Sequence, residues 1–231
     1  MISSIRQFIE TFKSKKSAKQ FPIDEIILRL QQCGREIERR DVFARILPPN
    51  AIGLELGVAS GGFSKRLLSE NESLFLYGID MWAGDRGHDT AQYRHALKEL
   101  SPFYRRSSLI RAKFDEMVPL FEDEYFDFVY VDGYAHTGEE GGQTYKDWFS
   151  KVKPFAIIAG DDYHSDWPLV VKAVDEFLRE RSLPLFTIAN SWSPGQEWGQ
   201  WFTVKGDCND PEYFNALTRI LKVFDSCKLK T

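Results

Sequence analysis

The sequence predicts an α/β fold: a mostly parallel sheet with helices on both faces and an antiparallel hairpin at its C-terminal end. Three observations predict it. Short apolar runs alternate with segments of helical periodicity from residue 52 onward, as in successive strand–helix units. The first run, Ile52-Gly53-Leu54-Glu55-Leu56, enters a turn of small residues, Gly57-Val58-Ala59-Ser60-Gly61-Gly62, and then a helical stretch. That is how a buried parallel strand crosses into a helix. Two late strand-like segments, 184–189 and 200–205, flank Asn190-Ser191-Trp192-Ser193-Pro194-Gly195. This link is rich in turn residues and too short for a crossover helix, so the two strands should pair antiparallel.

The elements follow in order. Ile5, Phe8, Ile9 and Phe12 fall at helical spacing beside Lys13, Lys15, Lys16 and Lys19. A basic amphipathic helix can lie on a membrane surface, but docking on its own domain or on a sister subunit is the expected use. A homo-oligomer joined through N-terminal helices would follow from the second option. Phe21-Pro22 interrupts this helix. A second runs over about 23–46 and closes at Leu47-Pro48-Pro49, so residues 1–48 read as a helical extension and 49–231 as the main domain. Strands are expected near 52–58, 74–80, 107–112, 126–132, 156–160, 184–189 and 200–205. Helices are expected near 62–70, 88–100, 115–121, 139–151 and 168–182, with a terminal helix over 210–226.

Composition bounds the function. The chain has 231 residues, 43% apolar and 28% charged, enough for one domain with a sizeable core. The net charge of −4 argues against a nucleic-acid substrate. Charge is uneven: residues 1–50 carry 10 Lys/Arg against 6 Asp/Glu, which leaves −8 for the remainder. Cys33, Cys208 and Cys227 are too scattered for a metal motif. With no signal peptide, reduced thiols in a cytoplasm are expected. No apolar stretch reaches the length of a membrane span.

The turn after the first strand is the most informative stretch. Glycines at 57, 61 and 62 leave the backbone open to a ligand, and the first N–H groups of the following helix face that space. The next apolar strand, Leu74-Phe75-Leu76-Tyr77-Gly78-Ile79, ends in Asp80, 18 residues beyond Gly62. In nucleotide-binding α/β folds an acid at that place takes the ribose hydroxyls. Glu55-x-Gly57-x-x-x-Gly61 differs from the dinucleotide spacing G-x-G-x-x-G, which argues against a nicotinamide dehydrogenase. It matches the first motif of class I S-adenosylmethionine-dependent methyltransferases, and residues 45–206 resemble that family. The resemblance implies a seven-stranded Rossmann-like sheet and S-adenosyl-L-methionine as cofactor. It makes Glu55, Gly57, Ser60, Gly61, Asp80, Trp82, Phe114 and Asp132 the candidate cofactor contacts. Glu55 would meet the ammonium, Trp82 would stack on adenine or pack beneath its loop, and Phe114 would line the ring pocket. Asp115 reads as the cap of the helix that follows it.

Carboxylates gather at the same edge. The fourth strand ends in Asp132-Gly133 and the fifth in Asp161-Asp162, with 30 residues between Asp132 and Asp162, about one strand–helix–strand crossover. Clustered carboxylates repel unless protonated or sharing a cation. Oxygen ligands without Cys suit Mg²⁺ or Mn²⁺. Adjacent side chains of an extended chain point apart, so Asp162 is favoured over Asp161 as the direct ligand. Val131-Asp132-Gly133-Tyr134-Ala135-His136, Gly160-Asp161-Asp162-Tyr163 and Asp166-Trp167-Pro168 resemble the metal-dependent, macrocin-type sugar O-methyltransferases. That resemblance implies Asp132, Asp161 and Asp162 as metal ligands and His136 as base; His164 or Asp161 is the alternative base if the His136 ring swings away. Tyr134-Ala135 add one residue before His136 relative to that family's Asp-Gly-Asp-His. His88 and His95 read as structural. Trp192, Trp198 and Trp201 read first as packing, with stacking on a sugar as the alternative. The expected activity is O-methylation of a small hydroxylated molecule, a sugar or glycosylated metabolite. A methyltransferase-like domain that only binds is the rival reading.

Overall fold

The computed structural model describes residues 21–34, 42–84, 88–133, 140–188, 191–193, 196–197 and 199–228. Its centre is a seven-stranded sheet. Strands β1 (Ile52–Leu56), β2 (Phe75–Asp80), β3 (Ser107–Arg111), β4 (Phe126–Val131) and β5 (Val152–Gly160) are parallel, while β6 (Phe186–Ile188) and β9 (Gln200–Val204) close one side. The order across the sheet is β3-β2-β1-β4-β5-β9-β6. β9 runs antiparallel to both β5 and β6, which is the expected C-terminal hairpin. The link within that hairpin is not a plain turn, however. It carries a second, two-stranded ribbon, β7 (Ser191–Ser193) with β8 (Gln196–Glu197).

Side chains of successive strand residues leave opposite faces, and β4 shows how this builds two cores. Phe128 and Tyr130 enter one apolar cluster, Val129 and Val131 the other. The first cluster is covered by α1 (Phe21–Gly34), α2 (Val42–Ile46), α3 (Gly62–Glu70) and the terminal helix α8 (Pro211–Lys228). The second is covered by α6 (Gln143–Phe149) and α7 (Pro168–Glu180). Phe43 of α2 is fully buried and meets the rings of Phe128, Tyr130 and Phe202 at centroid distances of 5.5, 5.7 and 5.8 Å. The described part of the N-terminal segment is thus built into the core of the sheet. α1 lies along α8, where Arg29 pairs with Asp225 at 2.9 Å. The amphipathic stretch 5–12 and its lysines lie outside the described residues.

Several expected boundaries move for local reasons. The helix expected from 88 begins at Thr90 as α4 (Thr90–Leu100), because the Asp89 side chain accepts the Gln92 N–H at 2.9 Å and caps it. The helix expected over 115–121 is one turn, α5 (Phe114–Met117), followed by a 3₁₀ turn over Val118–Leu120 in which Pro119 lies at the first positions. Asp115 lies inside α5 and is not its cap. The cap position is Lys113, whose N–H is accepted by Glu116 at 3.5 Å. The helix expected over 139–151 is the shorter α6.

Candidate active site

The carboxyl ends of the parallel strands open into a cavity of about 910 Å³, the size of a pocket that encloses a cofactor and a small substrate. The turn from β1 to α3 forms its floor. Gly57 sits there at φ 95° and donates its N–H to the Ile79 carbonyl at 2.9 Å. The reason for a glycine differs from the expected one. A Cβ at position 57 would stand 1.7 Å from the Asp132 carbonyl oxygen, so the missing side chain lets the ends of β1 and β4 meet. The open position in the turn is Gly62, where a Cβ would meet no atom within 4 Å. Gly61, at φ 82°, caps α3 and does not itself line the cavity.

Asp80 ends β2 and is only 5% exposed. One carboxylate oxygen accepts the N–H groups of Val58 and Ala59 at 3.1 and 2.9 Å, and the other accepts that of Trp82 at 3.2 Å. Asp80 therefore ties the glycine turn to the end of β2 while facing the cavity. Trp82 does not reach the cavity. It is fully buried, packs on the Tyr93 ring at a centroid distance of 4.6 Å with the rings tilted by 40°, and donates its indole N–H to the Ala59 carbonyl at 2.9 Å. It packs beneath the loop. Glu55 is 1% exposed, lines the cavity and accepts the Ser64 hydroxyl of α3. Ser60 lines the same wall. Phe114 does too, with its ring lying against Gly133, where a Cβ would be 2.5 Å from it.

The acids after β4 and β5 divide. Asp132 and Asp162 both line the cavity, and Asp161 does not. Asp162 adopts φ 62°, and its N–H is accepted by Asp161 Oδ1 at 3.0 Å. This turn separates the two carboxylates, as neighbouring side chains require. Among the described residues, no three His, Cys, Asp or Glu side chains come close enough to hold a metal ion. Tyr145 of α6 is buried beside this edge. Burial raises its hydroxyl pKa, and so do the carboxylates of Asp162, Glu140 and Asp132, which keeps it a protonated donor. Tyr163, next in the chain, anchors the loop by donating to Asp175 of α7 at 2.8 Å.

The candidate bases are not gathered. His136 lies outside the described residues. His164 does not line the cavity; its Nδ1 faces Asp166, from which it accepts the backbone N–H at 3.3 Å. Trp201 is fully buried between Tyr145 and Phe177 and belongs to the core. Trp198 and the side chain of Trp192 lie outside the described residues. Sequence reasoning missed several parts of the cavity wall: Arg66, His88, Lys113, and Gln143, Thr144 and Asp147 on α6. For His88 a signal was available. Asp89 has the chemistry of a helix cap, which places residue 88 in the loop.

Residues 54–163 match the family model for a methyltransferase domain. Over that stretch the chain is similar to a methyltransferase domain. Solved structures share the fold. A precorrin-6y C5,15-methyltransferase from Geobacter metallireducens is 14% identical with a TM-score of 0.55, over 72% of this chain and 86% of that one. A putative caffeoyl-CoA O-methyltransferase from Staphylococcus aureus is 13% identical with a TM-score of 0.52, over 89% and 92%. A spermidine synthase from Thermotoga maritima is 16% identical with a TM-score of 0.56, over 85% and 70%. No curated protein matches the chain. The methyltransferase fold supports S-adenosylmethionine as the methyl donor. Among the described residues, no helix is long and apolar enough to cross a membrane.

Proposed function

We propose that this enzyme methylates a hydroxyl of a small molecule, a sugar or glycosylated metabolite, with the help of a divalent cation. The observation that carries the reading is that Asp132 and Asp162 line the same cavity as Asp80, Glu55 and the glycine turn. The residues fit the cofactor. The turn has open space at Gly62, Asp80 offers a nearly buried carboxylate for ribose hydroxyls, and Glu55 offers another for the ammonium. They fit a hard cation through Asp132 and Asp162 only, since Asp161 is turned out of the cavity. Two carboxylates suffice for Mg²⁺, which completes its shell with water and substrate oxygens.

A bound cation supplies a lowered hydroxyl pKa and a fixed attack direction. The chain's own part is to hold the acceptor. Asp132 and Asp162 position a hydroxyl in the space that the cofactor shares. S-Adenosylmethionine held by Asp80, Glu55 and the glycine turn would supply an electrophilic methyl group, the acceptor oxygen gaining the bond to carbon that sulfur loses. The hydroxyl proton would go to a base, a role that the resemblance assigns to His136.

The test is methyl transfer to a panel of sugars and glycosides, with Mg²⁺ and with excess chelator, alongside calorimetric titration with S-adenosylhomocysteine. Transfer should require the cation, while the product cofactor should bind in either condition. Full activity in chelator would remove the cation from the reading. A second expected result concerns Asp80→Ala. It removes charge-assisted hydrogen bonds worth about 1.5–3 kcal/mol, so S-adenosylhomocysteine affinity should drop by roughly 10- to 150-fold. Unchanged affinity in calorimetry would refute the ribose role.

A further inference from the structure

His88 has a place that neither the fold nor the methyl-transfer reading requires. Its Nδ1 stands 3.3 Å from Asp80 Oδ2, and its side chain is 38% exposed and lines the cavity. Its backbone closes the loop independently of the ring, because the Gly84 N–H is accepted by the His88 carbonyl at 2.7 Å. The ring is therefore not needed to form the loop. We propose that His88 is a cofactor-site residue that accepts a hydrogen bond from the cofactor through Nε2 and so makes cofactor affinity depend on pH. This rests on the reading that S-adenosylmethionine occupies the cavity with its ribose at Asp80.

Asp80 Oδ2 already accepts the N–H groups of Val58 and Ala59. An ionised carboxylate accepts and cannot donate, so the hydrogen between it and His88 belongs to Nδ1. A neutral imidazole carries a single hydrogen, and fixing it on Nδ1 leaves Nε2 as an acceptor. A ribose diol brings two donors to a carboxylate that already receives backbone N–H bonds on both oxygens. A second acceptor beside it relieves that competition. Protonation of the ring converts Nε2 into a donor, removes this acceptor and puts a positive charge near a cofactor that is itself a sulfonium. The charged group paired with the ring is Asp80 of β2, and the neighbouring elements carry Asp89 at the cap of α4 and Arg111, Lys113 and Asp115 at and after the end of β3. Arg111 is engaged with the Met81 carbonyl at 3.1 Å. Lys113 and Asp115 line the same cavity. A transition that wild type shows and His88→Gln lacks therefore belongs to the His88 ring.

Calorimetric titration of the full chain with S-adenosylhomocysteine across pH 5.5–8 tests this, using wild type, His88→Gln and His88→Ala. The wild type should lose roughly tenfold in affinity as pH falls. His88→Gln keeps an acceptor that does not titrate, so it should bind well across the range and show only the ligand's own ionisation. His88→Ala should bind about fivefold more weakly than wild type at pH 8, with the same flat profile. S-Adenosylmethionine should lose more affinity than S-adenosylhomocysteine at low pH in wild type alone. A wild-type profile identical to that of His88→Gln would overturn the role of His88 while leaving the cofactor reading intact. Absence of binding by the wild type at every pH would overturn both.

Discussion

Gly57→Val is expected to abolish S-adenosylhomocysteine binding and to lower the thermal midpoint sharply. Position 57 lies at φ 95°, a region that costs a residue with a Cβ about 1–2 kcal/mol. The larger effect is steric. The added Cβ would stand 1.7 Å from the Asp132 carbonyl oxygen and 2.4 Å from its carbon. Both atoms are backbone, so relief requires parting the ends of β1 and β4, which are joined there by the Asp132 N–H to the Leu56 carbonyl at 2.8 Å. Overpacking a core typically costs about 1–3 kcal/mol, and here no flexible side chain is available to yield. A total loss of about 3 kcal/mol or more is a large share of a domain stability of roughly 5–15 kcal/mol. Chemical denaturation measures it. Gly62→Ala is the control: its Cβ meets nothing within 4 Å, so the fold should survive and only cofactor affinity should suffer. A Gly57→Val variant with the wild-type midpoint would show that β1 and β4 separate there at no cost.

The parallel strands were legible because burial on both faces makes each a continuous apolar run, as in Phe126-Asp127-Phe128-Val129-Tyr130-Val131. The start of β5 was not. It begins at Val152, but Lys153 and Pro154 interrupt the apolar pattern, and Phe155 takes φ 61° while its N–H is accepted by the Lys205 carbonyl at 2.6 Å. That irregularity is a tertiary contact with no local signature. The ribbon β7–β8 was hidden for a similar reason, since its pairing is read only once both strands are placed. At the site, strand ends and glycine spacing revealed Glu55, Asp80, Asp132 and Asp162 as residues facing a common edge. Which side of a turn a residue faces was harder to read. Trp82 went under its loop and His88 into the cavity because Tyr93 and Asp89 of the next helix take particular contacts.

The carboxylate pair at the ends of β4 and β5 supports the second large effect. Asp132→Asn and Asp162→Asn should each lower kcat by about 10³-fold, matching what chelation does to the wild type. The amide keeps the shape of the carboxylate and loses the charge that attracts a hard cation. A cation that stabilises developing charge on oxygen contributes several kcal/mol to the barrier, and each 1.36 kcal/mol is about tenfold in rate. Asp161→Asn should behave differently. Its Oδ1 accepts the Asp162 N–H at 3.0 Å, outside the cavity wall, and an asparagine oxygen can accept the same bond. Its rate should stay within about tenfold of wild type, the change expected when one neutral hydrogen bond is weakened. S-Adenosylhomocysteine binding by the Asp161 and Asp162 variants separates catalysis from folding, because Asp80, Asp132 and the glycine turn are untouched. Equal collapse in Asp161→Asn and Asp162→Asn would mean that the turn at Asp162 opens on loading, bringing both acids to the cation. Normal rates in Asp132→Asn and Asp162→Asn would leave these carboxylates without a role in the transfer.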